Sequence, residues 1–589
     1  MNPLLTIAQT TAPITPANMG YLPHIMLGLY MLLLVWLCYL GYKKGEATEV
    51  DYYLAGRNQG TLVTSLTIMA TMFSSAALLG IPGTVYRDGL AFVPFALNLT
   101  VGGIGIYLLG SRIHRLGKAR GYVTPADLIG DYYQGTAIRL LATFTGAMYV
   151  LPYVIMQIKA GGYLAEQLFP DVQPITLMGE QFDMFRIGVW ALSLLTTGYV
   201  LIGGMRSVAW TDVIQGFLLL TGMLVAGLAT VLYFQNHGGF FNAVRQLPPE
   251  AQSLPGATGK WTPLMMLSIC LFAALGAIIQ PGQWMRFYAA SSVKTLRQSA
   301  LTFAIVLPFC FIFGIMLVAL GARHEFPPVY KYTEEQTKEM AGWTPEEAAK
   351  QKPVLHPHEK FGPSPADTDK AVIVMTQHTV PQVFGKTVGT FVVTLILIAI
   401  LAASMSTADS NLHALSAILT RDVYDRYIHR SATEKEKTWF GRIIIILATM
   451  SSVLFVDLGE KAGEFNPLTL ITQLMFLAVA FSSQLLPLAI DCLYLHKGTR
   501  AGAMAGLAAG ILTVLLFGPF PALILNENHP VLAALLKFTT SASAQIHISA
   551  IGIIVNTTVF ALVSCVTPKL SPYHLLKFKE VLYGGYKNP

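Results

Sequence analysis

Charged side chains are scarce in this sequence. Asp, Glu, Lys and Arg together make up 12% of the 589 residues, whereas 53% are hydrophobic. A soluble chain of this length would form several domains with roughly 25% charged residues. Apolar segments near the length of about 20 residues that crosses a bilayer recur along the chain instead. They are continuous, unlike the alternating strands of a membrane barrel. The sequence therefore predicts an all-α polytopic membrane protein.

Cysteines and catalytic motifs are also sparse. The five cysteines all lie in apolar segments and have neither zinc-site spacing nor the pattern of a disulfide framework. There is no HExxH motif, phosphate-binding loop or GxSxG elbow, so an enzyme is not expected. The N-terminal residues lack the basic region, short apolar run and cleavage site of a signal peptide. The net charge of +7 needs no nucleic-acid partner, because basic residues also set membrane topology.

The apolar segments and the basic residues between them predict the topology. About thirteen spans are expected: 21–42, 61–86, 91–111, 138–167, 184–203, 208–234, 263–289, 297–321, 386–420, 438–457, 465–495, 500–520 and 545–567. Lys and Arg are concentrated in segments that are therefore expected to be cytoplasmic: 43–60, 112–137, 286–297 (which begins with Arg286), 421–437 and the tail. The N-terminus is predicted outside the cell membrane and the C-terminus inside.

Two spans look like broken helices. A Ser pair followed by Gly80, Pro82 and Gly83 interrupts the apolar run at 64–86, and Gly276, Pro281 and Gly282 interrupt 271–290. Interrupted segments at corresponding places in two halves indicate an inverted-repeat transporter. The predicted organisation is an extracytoplasmic N-terminus (1–20), a first flanking helix with its inner loop (21–60), core repeat one (61–234), core repeat two (263–495), C-terminal flanking helices (496–568) and a cytoplasmic tail (569–589). The insertion 322–385 in repeat two is expected to be a solvated outer segment, with a gating lid as the alternative.

The stretch LAASMSTADSN (401–411) is unusually polar for a span. Ser406, Thr407 and Ser410 share a helix face with Ala403, which is small enough to expose its carbonyl. Several oxygens on one face suit a hard cation such as sodium, although such hydroxyls also bond to their own helix or a neighbouring one. A charged Asp409 inside the membrane costs about 2.5–3.5 kcal/mol, so it is expected to bind something.

Other polar residues within the spans have two interpretations each. Asp212 is either a functional carboxylate or the N-terminal cap of its helix. Lys159 either awaits an anionic ligand group, forms a salt bridge with Asp212 or Asp409, or extends to the surface. Gln280 and Gln473 are either ligand contacts or interhelical hydrogen-bonding groups.

Four stretches resemble the sodium:solute symporter family, and they occur in the family's order. They are DYYLAGRNQG (51–60), LLGIPGTVYRDG (78–89), GGMRSVAWTDVIQ (203–215) and LAASMSTADSNLHALSAILTRDVY (401–424). The resemblance extends from about residue 20 to 520 and is strongest to the proline and pantothenate branch. It implies a leucine-transporter-type fold with two inverted five-helix repeats. It also implies sodium-coupled symport of a small organic solute by a protein that functions as a monomer in the lipid bilayer.

The resemblance also implies particular site residues. Its main sodium site maps onto the backbone carbonyls of Ala70, Phe73 and Ala403 and the hydroxyls of Ser406 and Thr407. A possible second cation site maps onto Asp212, Asp409 and Ser410. The family pattern has hydroxyls at the last two positions, so Asp409 is a departure. It could strengthen the second cation site, carry a proton or pair with Lys159.

The implied solute positions are Met72, Ser74, Ser75, Lys159, Gln280 and Gln473. Met72 replaces the acidic residue of the proline symporter's break, and Ala96 replaces a Glu of the sugar-transporting members. Lys159 lies on the helix where a sialic acid-transporting member has a carboxylate-binding Arg. A carboxylate-bearing solute, imported by alternating access, is therefore expected. The alternatives are a proton-coupled symporter, a sugar or amino-acid symporter, and a solute sensor that does not transport.

Overall fold

The computed structural model of the protein describes residues 20–44, 48–169, 172–177, 179–331, 354–362, 364–461, 470–521 and 530–584. Nearly all of the secondary structure in these ranges is helical. Two antiparallel strand pairs accompany the helices, Ile175–Leu177 with Glu180–Phe182 and Val329–Lys331 with Val354–His356. Neither strand pair was predicted from the sequence, and both lie in segments expected outside the membrane.

Within the described residues, ten helical segments are long and apolar enough to cross a membrane, or eleven if one bent pair is counted as a span. Their principal α-helices are Leu22–Lys44, Ile81–Asp88, Leu97–Gly105, Ser111–Arg120, Thr136–Leu168, Met184–Gln235, Pro263–Ser268, Ala274–Ile278, Pro281–Ala289, Val293–Cys310, Leu317–Glu325, Lys386–Leu419, Glu434–Lys461, Ile471–Ser482, Leu486–Ile490, Arg500–Phe517 and Ile548–Val566. The helix Thr61–Met72 is also apolar but is too short to be counted among these segments. Shorter or flanking helices are Glu49–Leu54, Pro125–Tyr132, Phe240–Arg245, Ala371–Phe384, Pro530–Gln545 and Pro572–Tyr583.

Two of these eleven segments each contain two predicted spans. Met184–Gln235 runs for 52 residues, but Gly204 has φ 57° and ψ −167°, which interrupts the helix. The segment Ala76–Arg120 contains Gly89, whose φ is 68°. Only glycine adopts such angles without strain, so both positions are natural breaks. Dividing each segment there, and joining Thr61–Met72 to the half that ends at Asp88, gives thirteen spans that correspond to those predicted from the sequence.

Both predicted broken helices are present. The first broken helix, Thr61–Asp88, ends its initial half at Met72, and Phe73 leaves helical geometry with φ −83° and ψ 83°. The second broken helix, Pro263–Ala289, bends by 52° at its break.

Of the residues expected to form the first break, the Ser pair lies at it, whereas Gly80, Pro82 and Gly83 do not. The chain is interrupted at Phe73 and the Ser pair, whereas Pro82 lies in the first turn of Ile81–Asp88. A π-helical turn, Ala76–Gly80, lies just before Pro82, and the Ile81 N–H donates to the Ala76 carbonyl, so the helix continues through the proline. Gly83 instead permits close packing, since a Cβ on it would lie 2.7 Å from a carboxylate oxygen of Asp369.

Burial separates the core from the flanking helices. In the most apolar stretch of Ile471–Leu495, 94% of the residues are buried, compared with 28% for Leu22–Lys44. The helix Lys386–Leu419, here called the polar helix, is also central, and its residues from Ile396 to Ile418 are buried. The polar stretch 401–411 therefore lies inside the protein.

The described part of the insertion 322–385 is not the solvated segment predicted from the sequence. Residues Pro365–Lys370 and the start of Ala371–Phe384 are mostly buried. Asp369 accepts a hydrogen bond of 3.1 Å from the backbone N–H of Ile471. Ile471 begins a helix, and a carboxylate stabilises the unpaired N–H groups of a helix start. Burial raises the pKa of Asp369, and the nearby charges of Arg87 and Lys159 oppose that rise.

Candidate functional site

The polar helix meets the first broken helix at a cluster of oxygen atoms. The Ser406 and Thr407 hydroxyls lie 3.2 and 3.3 Å from the carbonyl oxygen of Ala70. Ser406 also lies 3.1 Å from the Ala403 carbonyl oxygen, on its own helix. These hydroxyls therefore bond to a neighbouring helix and to their own, and the sodium site expected from the sequence stays a prediction.

The break supplies this cluster with free carbonyls. A carbonyl in the last turn of a helix has no intrahelical N–H partner. The helix ends at Met72, and Phe73 is non-helical, so the carbonyl of Ala70 is available to side chains of the polar helix. Ala70, Phe73, Ala403, Ser406 and Thr407 are all buried. Carbonyl and hydroxyl oxygens in a closed, dry position are suitable ligands for a monovalent hard cation.

A second buried cluster lies next to the first and contains three charged side chains. Asp212, Asp409 and Arg286 are each at most 1% exposed. Arg286 Nη2 lies 3.1 Å from Asp212 Oδ2, and its Nε donates to the Thr67 hydroxyl at 2.9 Å. Arg286 also donates to the Ser410 hydroxyl.

Asp409 is held by hydroxyl groups. Tyr199 donates to Asp409 Oδ2 at 2.7 Å, and Ser410 donates to Oδ1 at 3.0 Å. One Asp212 oxygen, Oδ1, is buried without a hydrogen-bond partner among the described residues. With both carboxylates ionised, two negative charges face one guanidinium. Because uncompensated charge inside a membrane protein is costly, the cluster can accept one monovalent cation or one proton.

Arg286 belongs to this buried cluster, and the sequence did not single it out as a candidate site residue. It was assigned to the cytoplasmic loop 286–297, yet its side chain is buried between both repeats. Arg286 also fell inside the predicted span 263–289. A cation within a membrane span, in a chain with two intramembrane carboxylates, was the signal in the sequence that could have identified it. The sequence offered Lys159 as a salt-bridge partner of Asp212, but in the structure Asp212 pairs with Arg286. The ammonium of Lys159 lies 5.7 Å from the ring centre of Tyr163, and Lys159 is half-buried.

A cavity of about 50 Å³ lies between the two broken helices. Its lining includes residues Met72, Phe73, Ser74 and Ala77 of the first broken helix, Ala273, Ala274 and Ala277 of the second, and Asn98, Tyr153, Phe311 and Phe476 of neighbouring elements. Ser74, Asn98 and Tyr153 supply the polar side chains. The lining is otherwise apolar and includes no charged side chain of the described residues.

Two of the six predicted solute residues, Met72 and Ser74, line this cavity. Ser75 turns toward the helix Thr136–Leu168, where its hydroxyl donates to the Met156 carbonyl at 3.1 Å. Gln280 caps the second half of its broken helix by accepting from the Gly282 N–H at 2.7 Å.

Gln473 and Lys159 also lie outside this lining. Gln473 lines a different cavity, of about 380 Å³, beside Trp261 and His547. Lys159 is not among the lining residues of either cavity.

Comparison with known proteins identifies a matching family model and several similar transporters. The family model described as sodium:solute symporter family matches residues 52–342 and 354–510. A sodium/proline symporter of Haemophilus influenzae is 27% identical over 475 residues, covering 79% of this chain and 82% of that protein. A sodium/proline symporter of Staphylococcus aureus is 26% identical over 523 residues, covering 87% and 88%. A high-affinity proline transporter of Bacillus subtilis is 24% identical over 482 residues, covering 81% and 88%.

A solved structure supports the fold. The substrate-bound outward-open state of a Na⁺-coupled sialic acid symporter matches with a TM-score of 0.65. The match covers 94% of this chain and 99% of that one at 17% sequence identity. At this identity the likeness concerns the fold alone, and it confirms the predicted leucine-transporter-type architecture.

Proposed function

This chain belongs to the sodium:solute symporter family, and we propose that it imports a small organic solute together with sodium by alternating access. One observation carries the proposal. Phe73 lies in the break beside the Ala70 carbonyl, and it also lines the cavity between the two broken helices. A cation bound at the oxygen cluster would therefore fix the backbone that shapes the solute cavity.

We assign the main sodium ligands to the carbonyls of Ala70, Phe73 and Ala403 and the hydroxyls of Ser406 and Thr407. Asp212, Asp409 and Ser410 form the proposed second cation position. Sodium at the first position would hold the first broken helix against the polar helix. If bound sodium increases the affinity for the solute by some factor, bound solute must, by linkage, increase the affinity for sodium by the same factor. The membrane potential adds about 2.3 kcal/mol per charge per 100 mV to uphill accumulation.

The proposed solute is a compact carboxylate with an apolar body, such as proline. A cavity of about 50 Å³ holds only a few water-sized groups, at roughly 10–15 Å³ each, so even a compact solute requires the cavity to open. Ser74, Asn98 and Tyr153 are neutral hydrogen-bonding groups, and the rest of the lining is apolar. A carboxylate would therefore be held by neutral donors, without the role for Lys159 expected from the sequence. The names of the proline-transporting relatives support this class.

Uptake by the purified protein in proteoliposomes tests the proposal. With an inward sodium gradient, we expect accumulation of proline or a short monocarboxylate but not of a sugar. Equilibrium counterflow of the same solute should also occur, because a sensor without transport would show none. Accumulation of sugars alone would contradict the proposed solute class.

A proton-coupled symporter is the second candidate, and Asp409 is the observation that favours it. Its hydrogen-bonding partners among the described residues are the hydroxyls of Tyr199 and Ser410, so no cation contacts it directly. In the same uptake assay, a pH gradient in sodium-free buffer separates the candidates. Uptake that needs sodium at every pH supports sodium coupling, whereas full uptake without sodium supports the proton.

We further propose that the N-terminus is outside the cell membrane, the C-terminus is cytoplasmic, and the monomer is functional. Contacts between segments of the same predicted side support the topology. On the inner side, Arg115 donates to the Leu582 carbonyl at 2.9 Å, and Arg421 pairs with Glu49 at 3.0 Å. On the outer side, Lys370 pairs with Glu166 at 2.9 Å.

Labelling of single cysteines tests the topology in intact cells. In a chain whose natural cysteines are replaced, Asn242→Cys should react with a membrane-impermeant maleimide. Lys577→Cys should react only after the membrane is permeabilised. Both side chains are exposed, so a lack of labelling reflects sidedness. The reverse pattern would contradict the proposed orientation.

A further inference from the structure

An open pocket of about 560 Å³ lies at the predicted cytoplasmic end of the helices, away from the solute cavity. Four arginines line it: Arg139, Arg421, Arg426 and Arg430. Asp425 also lines it but is paired with Lys437 at 3.1 Å. Arginine forks match the geometry of phosphate oxygens, and this many of them on one wall is characteristic of an anion site.

Buried carboxylates behind the pocket neutralise only part of this charge. Arg139 pairs with Asp127 at 2.8 Å and with Asp422 at 3.1 Å. Arg421 and Arg426 also pair with Asp127, and Arg421 pairs with Glu49 as well. Arg430 has no carboxylate within ion-pair distance among the described residues.

The Arg430 guanidinium faces the pocket with most of its donors unused. Its Nε donates to the Arg426 carbonyl at 2.9 Å, and its side chain is exposed. The guanidinium is thus held in place while its remaining N–H groups stay available for an anion.

The start of a long helix adds to the positive potential of the pocket. Thr136 begins a helix of 33 residues, and both Thr136 and its N-cap residue Gly135 line the pocket. Gly135 has no side chain that can accept from the first N–H groups of that helix. Unpaired N–H groups and the helix dipole favour a negatively charged ligand at this position.

Exposed apolar side chains lie on two helices that pack against each other, and one of these helices begins in the pocket. Leu140 and Phe144 follow Thr136 at four-residue intervals, so they lie on the same helix face, and they are 39% and 45% exposed. On the helix Glu434–Lys461, Trp439 and Ile443 are 54% and 49% exposed. A free phosphate ion would make no use of these surfaces, whereas acyl chains would cover them.

We propose that this pocket binds the phosphate headgroup of an anionic phospholipid, with acyl chains lying along Leu140, Phe144, Trp439 and Ile443. The lipid comes from the cytoplasmic leaflet, where basic pockets between membrane helices bind anionic headgroups. Thr420–Ile428, which contributes part of the pocket, continues directly from the polar helix. The lipid therefore contacts an extension of the helix that carries Ser406 and Thr407.

Native mass spectrometry of the full chain tests the proposal with phosphatidylglycerol and phosphatidylcholine of identical acyl chains. We expect phosphatidylglycerol to remain bound to the wild-type protein and phosphatidylcholine to be lost. Arg430→Gln should lower retention of phosphatidylglycerol about tenfold, as expected for loss of one charge-assisted contact. Arg430→Lys should restore part of it. Lys577→Gln, at an exposed basic residue of the tail helix, is the matched control and should retain the lipid as the wild type does.

Three results would overturn the proposal. Equal retention of the two lipids would mean that charge is not recognised. Unchanged retention by Arg430→Gln would place the lipid elsewhere. Displacement of the lipid by millimolar inorganic phosphate, with phosphate binding also lost in Arg430→Gln, would identify a site for a free ion. Arg430 is exposed, so its substitution should leave the fold intact, and the unchanged melting temperature of the variant in phosphatidylcholine would verify this.

Discussion

Replacing Thr407 by Ala is expected to raise the sodium concentration for half-maximal uptake at least tenfold, while the protein still folds. The substitution removes a hydroxyl that lies 3.3 Å from the Ala70 carbonyl, inside the proposed sodium site. A hydrogen bond or contact to a charged group contributes about 1.5–3 kcal/mol, which corresponds to roughly a tenfold to hundredfold change in affinity. The methyl group of Ala keeps the helix propensity and leaves no charge unpaired. Initial uptake rates over a series of sodium concentrations measure the effect.

Thr394→Ala is the matched control on the same helix. Thr394 is also fully buried, but its hydroxyl bonds to the Thr390 carbonyl at 2.9 Å. The same loss of a hydroxyl and a methyl group there should leave the sodium dependence unchanged. If both variants shifted it equally, the effect would arise from the helix and not from a ligand. If neither shifted it, the assignment of Thr407 would be wrong.

Local patterns in the sequence predicted the features that depend on nearby residues. Helical spacing placed Ser406, Thr407 and Ser410 on one face, and their motif indicated the break as the opposite partner. The structure brings Ser406 and Thr407 to the Ala70 carbonyl. A backbone break exposes carbonyls wherever it occurs, so its approximate location in the sequence was sufficient to predict which helix supplies them. The Ser pair marked the break correctly, whereas Gly80, Pro82 and Gly83 lie in the helical stretch after it, where Gly83 serves close packing.

Features that depend on distant partners were not predictable in the same way. Arg286 pairs with Asp212, a residue 74 positions away, and in one sequence its charge resembles that of a cytoplasmic loop. Asp369 contacts Ile471, which is 102 positions away, so the insertion looked solvated by composition alone. The sequence connected Lys159 with solute binding only through the helix that carries it. The direction of its side chain depends on packing, which the sequence does not show. Charge identifies a residue as important within a membrane, but only the packed structure identifies its partner.

Replacing Arg286 by Gln is expected to have the largest effect on stability, lowering the free energy of unfolding by about 3–5 kcal/mol. The guanidinium is 1% exposed in side-chain area and makes its ion pair with Asp212 at 3.1 Å. Gln is shorter and neutral, so Asp212 and Asp409 would lose the cation that faces both carboxylates. Denaturant titration of the purified variant in detergent measures the loss of unfolding free energy. Arg297→Gln is the matched control, because Arg297 is exposed and contacts only the ring of Tyr107, at 5.4 Å, among its described interactions.

A double-mutant cycle separates charge compensation from packing. Asp212→Asn combined with Arg286→Gln removes both charges, so the double variant should recover a substantial part of the stability that Arg286→Gln loses. Sodium should also distinguish the variants. An added cation can partly replace the guanidinium beside two carboxylates, so sodium should stabilise Arg286→Gln more than the double variant. If the double variant were as unstable as Arg286→Gln, and sodium acted equally on both, Arg286 would matter through its packing. Its charge would then not limit how many cations the cluster can hold.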